Sequence, residues 1–103
     1  MRLKDLRYLV LVGRTLCFRE AARRCGVRSS TLIEQVNRVE QRLGARVFER
    51  SRNGLFVTPA GREILRLALG MTAIEEHLMR AAASVAPARP QRGLLAAAVA
   101  IRP

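Results

Sequence analysis

The feature that most constrains the fold of this chain is a pair of helical segments separated by a glycine. Residues 18–25, FREAARRC, have the composition of a short helix, and Gly26-Val27 marks a tight turn. A longer amphipathic segment begins near Ser29 and runs to Leu43. Helix, glycine turn and helix in this order are typical of a helix-turn-helix, in which the second helix lies in the DNA major groove and the first crosses the phosphate backbone.

The charge of the chain agrees with a nucleic-acid partner. Its 103 residues are half hydrophobic, which is enough for one small domain. Basic residues number 19 against 8 acidic ones, for a net charge of +11, and 13 of the basic and 5 of the acidic residues lie in residues 1–57. Double-stranded DNA is therefore the expected partner, the alternative being a general bias of composition towards arginine.

Several other classes of protein are not expected. Cys17, Cys25 and His77 are too few for a zinc site, so no metal or other cofactor is expected. No catalytic set and no glycine-rich phosphate loop occurs, so the chain is not expected to be an enzyme. No apolar run approaches the roughly 20 residues of a membrane span, and the N-terminus lacks a signal-peptide hydrophobic region, which predicts a cytoplasmic protein without a membrane partner.

Hydrophobic spacing predicts a helix over residues 3–15, whose buried stripe is formed by Leu3, Leu6, Leu9, Val10 and Val12. The third helix is predicted to begin with Ser29 or Ser30 as its N-cap and to end at Gly44. The residues predicted to face inward in the second helix are Phe18, Ala21, Ala22 and Cys25. Those of the third are Leu32, Val36, Val39, Glu40 and Leu43.

A hairpin is predicted next, over residues 47–57. Two short apolar pieces, VFE and LFV, flank a basic stretch that ends in Asn53-Gly54, a strong turn signal. A basic-tipped hairpin that follows a recognition helix is a wing. The predicted fold class is therefore mainly α: a winged helix-turn-helix with a short β-hairpin wing and a long C-terminal helix.

Thr58-Pro59 is predicted to open that long helix, with threonine as the N-cap and proline in the first turn. The helix is expected to reach about Ser84, which makes it roughly 40 Å long and leaves more apolar surface than one small domain can cover. A dimer interface is predicted along it, formed by Ile64, Leu67, Met71, Ile74, Leu78 and Ala81.

Three regions are thus expected: residues 1–57 as the winged domain, 58–84 as the linker helix, and 85–103 as a linker followed by a truncated domain start. Residues 86–92 contain two prolines, as linkers do. Residues 93–101, GLLAAAVAI, are an apolar run of strand-like length whose burial partner is not in this chain.

The order of several motifs resembles the N-terminal DNA-binding domain of LysR-type transcriptional regulators. The resemblance covers about residues 3–84, and its most specific parts are RLGARVFER at 42–50 and TPAG at 58–61. It implies a long helix that pairs antiparallel with that of a second subunit. It also implies that residues from Gly93 onward begin the effector domain of the family, so that the chain is a truncated product or a natural short regulator. No small-molecule effector is then expected to bind this chain.

The sequence departs from this family where the third helix begins. The family usually reads Ser-Gln-Pro-Ala-Leu-Ser, whereas this chain has RSSTLI at residues 28–33, followed by Glu34. Ile33 could contact a thymine methyl and Glu34 could accept a hydrogen bond from cytosine, replacing the lost readout. Glu34 could equally repel phosphate.

The predicted DNA-binding residues fall into three groups. Serines and their neighbours at the start of the third helix are expected to reach phosphates or base edges, arginines to meet the backbone, and the wing tip to enter a minor groove. They are Arg19, Arg23, Arg28, Ser29, Ser30, Thr31, Ile33, Glu34, Gln35, Arg38, Arg52 and Asn53. The family pattern further implies that Arg50 pairs with the carboxylate of Glu40 and braces the wing.

The sequence is therefore compatible with two functions. The first is a transcriptional regulator that binds an inverted-repeat duplex as a homodimer. The second is a short LysR-like interaction protein that dimerises through the linker helix and modulates another regulator with little specific DNA binding. An RNA-binding function ranks third because the chain has one Tyr and three Phe and no stacking-aromatic motif.

Overall fold

The structure, a computed structural model, describes residues 1–85, which form four helices and one β-hairpin. Residues 1–73 form one compact unit, and residues from Ile74 onward, described as far as Val85, form a second. The predicted linker at 86–92 and the apolar run at 93–101 lie outside the described residues. The elements in chain order are α1 (Leu3–Thr15), α2 (Phe18–Cys25), α3 (Ser29–Leu43), β1 (Phe48–Ser51), β2 (Gly54–Val57) and α4 (Pro59–Val85).

Local hydrogen bonds define the starts of the first two helices. The Arg2 N–H donates to Asp5 Oδ2 at 2.9 Å, which ties the residue before α1 to its first turn. The thiol of Cys17 caps α2, since its Sγ accepts the Glu20 N–H at 3.4 Å. Cysteine is an unusual cap, and its role was not predicted from the sequence.

The helix ends agree with the predicted glycines. Gly26 ends α2 in the left-handed conformation at φ 70°, and its N–H donates to the Ala22 and Arg23 carbonyls. Gly44 ends α3 in the same conformation at φ 69°. Left-handed backbone favours glycine because it has no Cβ to clash with the carbonyl that follows, so Gly26 makes the sharp turn between α2 and α3 possible.

The hydrophobic core lies among the first three helices, the start of the hairpin and the first turns of α4. The alanines of α2 are buried as predicted and allow this short helix to approach its neighbours closely. Leu43 was predicted to face inward but is 38% exposed, because it lies in the last turn of α3, beyond the part of that face that the core covers. The residues buried in the core are Leu6, Tyr8, Leu9, Val12, Ala21, Ala22, Leu32, Val36, Val39, Val47, Phe48 and Ala68.

The predicted hairpin is present and connects directly to α4. Strands β1 and β2 pair antiparallel, from Phe48 opposite Val57 to Ser51 opposite Gly54. Thr58 begins α4 as predicted, since its Oγ1 accepts the Gly61 N–H at 2.8 Å. Within residues 1–85 no helix is both long and apolar enough to cross a membrane.

Candidate nucleic-acid interface

The start of α3 is well suited to meet an anion. Arg28, in extended conformation, occupies the N-cap position and makes no capping hydrogen bond with its side chain. The prediction of Ser29 or Ser30 as the cap was wrong. Both serines already lie in the first turn of α3, because the chain turns into the helix one residue earlier, and the Leu32 N–H bonds to the Arg28 carbonyl at 3.0 Å.

An uncapped helix start leaves backbone donors available. The N–H groups of the first turn of any α-helix have no partner within the helix. No side chain of residues 1–85 accepts a hydrogen bond from the N–H groups of Ser29, Ser30 or Thr31. These groups, together with the helix dipole, favour a phosphate or a base-edge acceptor at this end of α3.

The predicted contact residues of α3 occupy its outer face and both flanks of that face. Ser30, Thr31, Glu34 and Arg38 are exposed, which places them where an outer ligand would meet the helix. The half-buried residues of the set are Ser29, Ile33 and Gln35.

Asn37 is an exposed residue of α3 that the predicted set omitted. It follows Glu34 by three residues and Ser30 by seven, the spacing that brings residues onto one face of a helix. That period is visible in the sequence and would have added Asn37 to the predicted set.

Ile33 lies in a cleft between α3 and the wing. Phe18, Arg50 and Leu55 line the same cleft, so the apolar side chain has neighbours from three other elements. This location differs from that of Glu34, which is on the exposed face. Ile33 and Glu34, two of the residues that depart from the family pattern, therefore have different surroundings.

The predicted phosphate-binding arginines differ in how they are held. Arg19 and Arg28 are exposed and form no ion pair within residues 1–85. Arg23 binds the Glu20 carboxylate, with its Nε 3.1 Å from Oε1, and Arg38 binds Glu34 with Nη2 2.7 Å from Oε1. Arg19 and Arg28 are thus the arginines of this group whose guanidinium groups are not shared with a carboxylate of residues 1–85.

Glu20 is the centre of an exposed cluster on α2. Both Arg23 and Arg24 donate to its carboxylate, Arg24 Nε lying 2.9 Å from Oε2. Hydrogen bonds from Arg23 and then Arg24 lower the pKa of Glu20 to about 2 from an ordinary value of 4.5. The carboxylate therefore stays ionised and offsets part of the positive charge on this helix.

The tip of the wing consists of Arg52 and Asn53, both exposed. These two residues connect Ser51 with Gly54, the last pair of the hairpin. Ser51 Oγ accepts the Asn53 N–H at 3.1 Å, which orders the backbone of the turn while leaving the Arg52 side chain outside it. Gly54 adopts φ 122°, a conformation that favours glycine.

The wing is braced differently from the family-based prediction. Arg50 does not pair with Glu40: its guanidinium carbon lies 4.8 Å from the centre of the Phe18 ring, a cation–π contact with α2. Glu40 Oε2 instead accepts the N–H groups of Val47 at 2.7 Å and Phe48 at 3.2 Å. The buried carboxylate satisfies the backbone where the chain enters β1, so the predicted ion pair was wrong.

The predicted dimer residues lie along α4. Within residues 1–73, Ile64 packs partly against the core, whereas Leu67 and Met71 are exposed. Within the second unit, Ile74, Leu78 and Ala81 are exposed, Ile74 at 70%. Most of the predicted stripe is therefore open to contact from outside.

The family match and the individual relatives of this chain agree on one protein family. Residues 3–62 match the family of bacterial regulatory helix-turn-helix proteins described as lysR. The regulator EstR of Acinetobacter baylyi is 40% identical over 78 residues, which are 76% of this chain and 26% of EstR. The regulator BudR of Klebsiella aerogenes is 31% identical over 86 residues, 84% of this chain and 60% of BudR. The chain spans about a quarter of the length of the first relatives it matches.

Solved structures agree with these relatives. Full-length OxyR of Pseudomonas aeruginosa has a TM-score of 0.79 and 32% identity, over 84% of this chain and 30% of that one. The BenM DNA-binding domain, in a complex with catB site 1 DNA, has a TM-score of 0.80 and 25% identity, over 86% of this chain and all of that one. The helices, the wing and the order of motifs in this chain place it in the lysR family of bacterial regulatory helix-turn-helix proteins. Residues 3–62 carry the DNA-binding domain of a transcriptional regulator.

Proposed function

We propose that this chain binds double-stranded DNA as a homodimer, with residues 29–35 of each subunit in a major groove and the wing over the flanking minor groove. The observation that carries the proposal is the uncapped, exposed start of α3, where backbone N–H donors and Arg28 lie together. A recognition helix meets base edges with its N-terminal residues, and this end of α3 has the donors for that contact.

Contacts to phosphates would set the position of the domain on the duplex. Arg19 and Arg28 are the first candidates because neither is held by a carboxylate among residues 1–85. Arg23 and Arg38 would contribute through their remaining N–H groups, since a guanidinium has five. Phosphate contacts of this kind fix register and supply affinity without reading sequence.

The wing is assigned to the minor groove. Arg52 is exposed at its tip and has no ion pair within the described part of the chain, and Asn53 stands beside it. The negative potential of a narrow, A·T-rich minor groove attracts an inserted arginine. The Arg50–Phe18 contact supports this role because it ties strand β1 to α2 one residue pair from the tip of the wing.

Dimerisation is proposed through α4. Leu67, Met71, Ile74 and Leu78 follow one another at spacings of four, three and four residues, and each is at least half exposed. Such spacing is that of a coiled-coil seam, and it favours a second copy of the same helix as the partner. A two-fold dimer presents two related recognition helices, so we expect the site to be an inverted repeat.

A salt series of duplex binding tests the proposal. We would select binding sites from random duplexes and measure affinity by fluorescence anisotropy at several salt concentrations. Arg28→Ala should weaken binding to every duplex and lower the slope of log affinity against log salt by about 1. Arg80→Ala removes the same charge from an exposed position of α4 and should leave the slope unchanged. Absence of duplex binding even at low salt would contradict the proposal.

The same experiment separates the alternative of a short interaction protein. That function requires no sequence preference, so selection would return no common site, and a pull-down from the source cell would recover a stable complex with another regulator. An enriched inverted repeat would favour the DNA-binding function. The lack of a side-chain cap at α3 supports the DNA-binding function, since it leaves the backbone N–H groups at the start of that helix available.

A further inference from the structure

Glu34 is an acidic residue on the surface that we assign to DNA, and its surroundings suggest a specific role. It lies on the exposed face of α3, one helical turn after Ser30. Its Oε1 accepts a hydrogen bond from Arg38 Nη2 at 2.7 Å, and the two side chains are 63% and 64% exposed. An accessible carboxylate is therefore held on the face that would meet the groove.

The ion pair reduces the repulsion expected between a carboxylate and phosphates. Arg38 places a full positive charge beside Glu34, so the pair as a whole is neutral. The second carboxylate oxygen of Glu34, Oε2, has no hydrogen-bond partner among residues 1–85. One oxygen is thus engaged by the arginine, and the other remains an open acceptor.

The chemistry of this acceptor selects among the four bases. An ionised carboxylate can only accept hydrogen bonds. In the major groove cytosine presents its N4 amino group as a donor, guanine presents two acceptors, thymine presents an acceptor and a methyl group, and adenine presents a donor next to an acceptor. Cytosine is the base whose edge offers a donor without a competing acceptor.

We propose that Glu34 determines sequence specificity by accepting a hydrogen bond from cytosine in the major groove, with Arg38 as the residue that positions and neutralises it. This inference rests on the proposed DNA-binding function. The i and i+4 spacing keeps the two side chains on one face of α3, and the guanidinium engages Oε1, so that Oε2 is the oxygen left to accept from a base.

A change of base preference is the test, since a structural role for Glu34 would not produce one. Selection from random duplexes with the unaltered 103-residue chain should enrich cytosine at one position in each half-site. Replacing that cytosine should weaken binding about tenfold or more. Glu34→Gln should move the preference at that position to adenine, because a glutamine amide can both accept from N6 and donate to N7. Arg38→Ala should weaken binding to every duplex and also reduce the preference for cytosine, because the carboxylate loses the group that positions it.

Glu63→Gln is the matched control. Glu63 forms a similar exposed pair with Arg66 on α4, its Oε2 3.0 Å from Arg66 Nε, so the substitution raises net charge equally. It should raise affinity for all duplexes without altering the selected site. If Glu34→Gln selects the same bases as the unaltered chain, the role assigned to Glu34 is wrong, but the proposed DNA-binding function is not contradicted. If neither chain binds any duplex, both proposals fall.

Discussion

Glu40 and Val47 are joined by a hydrogen bond that connects the recognition helix to the wing: the buried carboxylate accepts the Val47 N–H at 2.7 Å. The same oxygen, Oε2, also accepts the N–H of Phe48 at 3.2 Å. Nε of the exposed Arg46 lies 4.0 Å from Oε2. A single side chain near the end of α3 therefore satisfies two backbone donors at the entry to β1.

We expect Glu40→Gln to lower the free energy of unfolding by about 1–2 kcal/mol, because hydrogen bonds to a charged acceptor are stronger than those to a neutral amide. Urea denaturation would measure the change. Glu49→Gln is the control, since Glu49 is exposed on β1, and it should change stability by no more than about 0.5 kcal/mol. Equal losses in both variants would contradict the role assigned to Glu40.

Gly61 is expected to tolerate no side chain. A Cβ on Gly61 would clash with the carbonyl oxygen of Val47 and lie 2.9 Å from the carbonyl carbon of the same residue. Both are backbone atoms, which cannot move away by a change of rotamer. Gly61→Ala should therefore cost about 1–3 kcal/mol of stability. Gly70→Ala, in the same helix but with no atom within 4 Å of the new Cβ, should instead add about 0.5–1 kcal/mol. Thermal or urea unfolding of the two variants compares them directly.

The Glu20 cluster should make a small contribution to stability that depends on pH. Because its pKa is lowered in the folded state to about 2 from 4.5, the contribution is present above pH 4.5 and is lost as the pH falls towards 2. The melting temperature of the unaltered chain minus that of Glu20→Gln should be positive near neutral pH and vanish towards pH 2. The ion pairs of Glu20 with Arg23 and Arg24 are exposed, so 1 M salt should also reduce this difference in melting temperature. A difference that grows on acidification would contradict the prediction.

Ile74 is expected to support the proposed dimer, being 70% exposed on α4. Ile74→Asp places a charge in an apolar contact and should convert the dimer to a monomer in analytical ultracentrifugation, with its helix content retained by circular dichroism. Ala73→Asp introduces the same carboxylate at an exposed neighbouring position outside the predicted stripe and should leave the mass unchanged. A monomer for the unaltered chain at micromolar concentration would rule out this interface.

Some features of the fold are set by residues that are close together in the chain. The bounds of α1, the left-handed Gly26 and Gly44, and the Thr58 cap depend on neighbours within about four residues, so their signals could be recognised directly. The hairpin at Asn53-Gly54 belongs to the same class, because the turn residues and the flanking apolar pieces are adjacent. The family pattern added the order of these elements.

The helix that carries the candidate site was predicted, with errors where geometry is finer than one helical turn. Its N-cap is Arg28 and not a serine, and the exposed Asn37 was not among the residues predicted to contact DNA. A shift of one residue at a helix start changes which N–H groups are available, and composition does not resolve a shift of that size. The exposure of Glu34 and its hydrogen bond with Arg38 could be seen only in the structure.

What the sequence by itself determined is the succession of helices, turn and wing, because periodicity, caps and glycines act over a few residues of backbone. Only the tertiary structure decided that Glu40 binds the backbone of Val47 and Phe48, and that Arg50 lies over Phe18. Several partners of suitable charge or size compete for each of these side chains. The choice among them depends on distances and burial that exist only once the helices have packed.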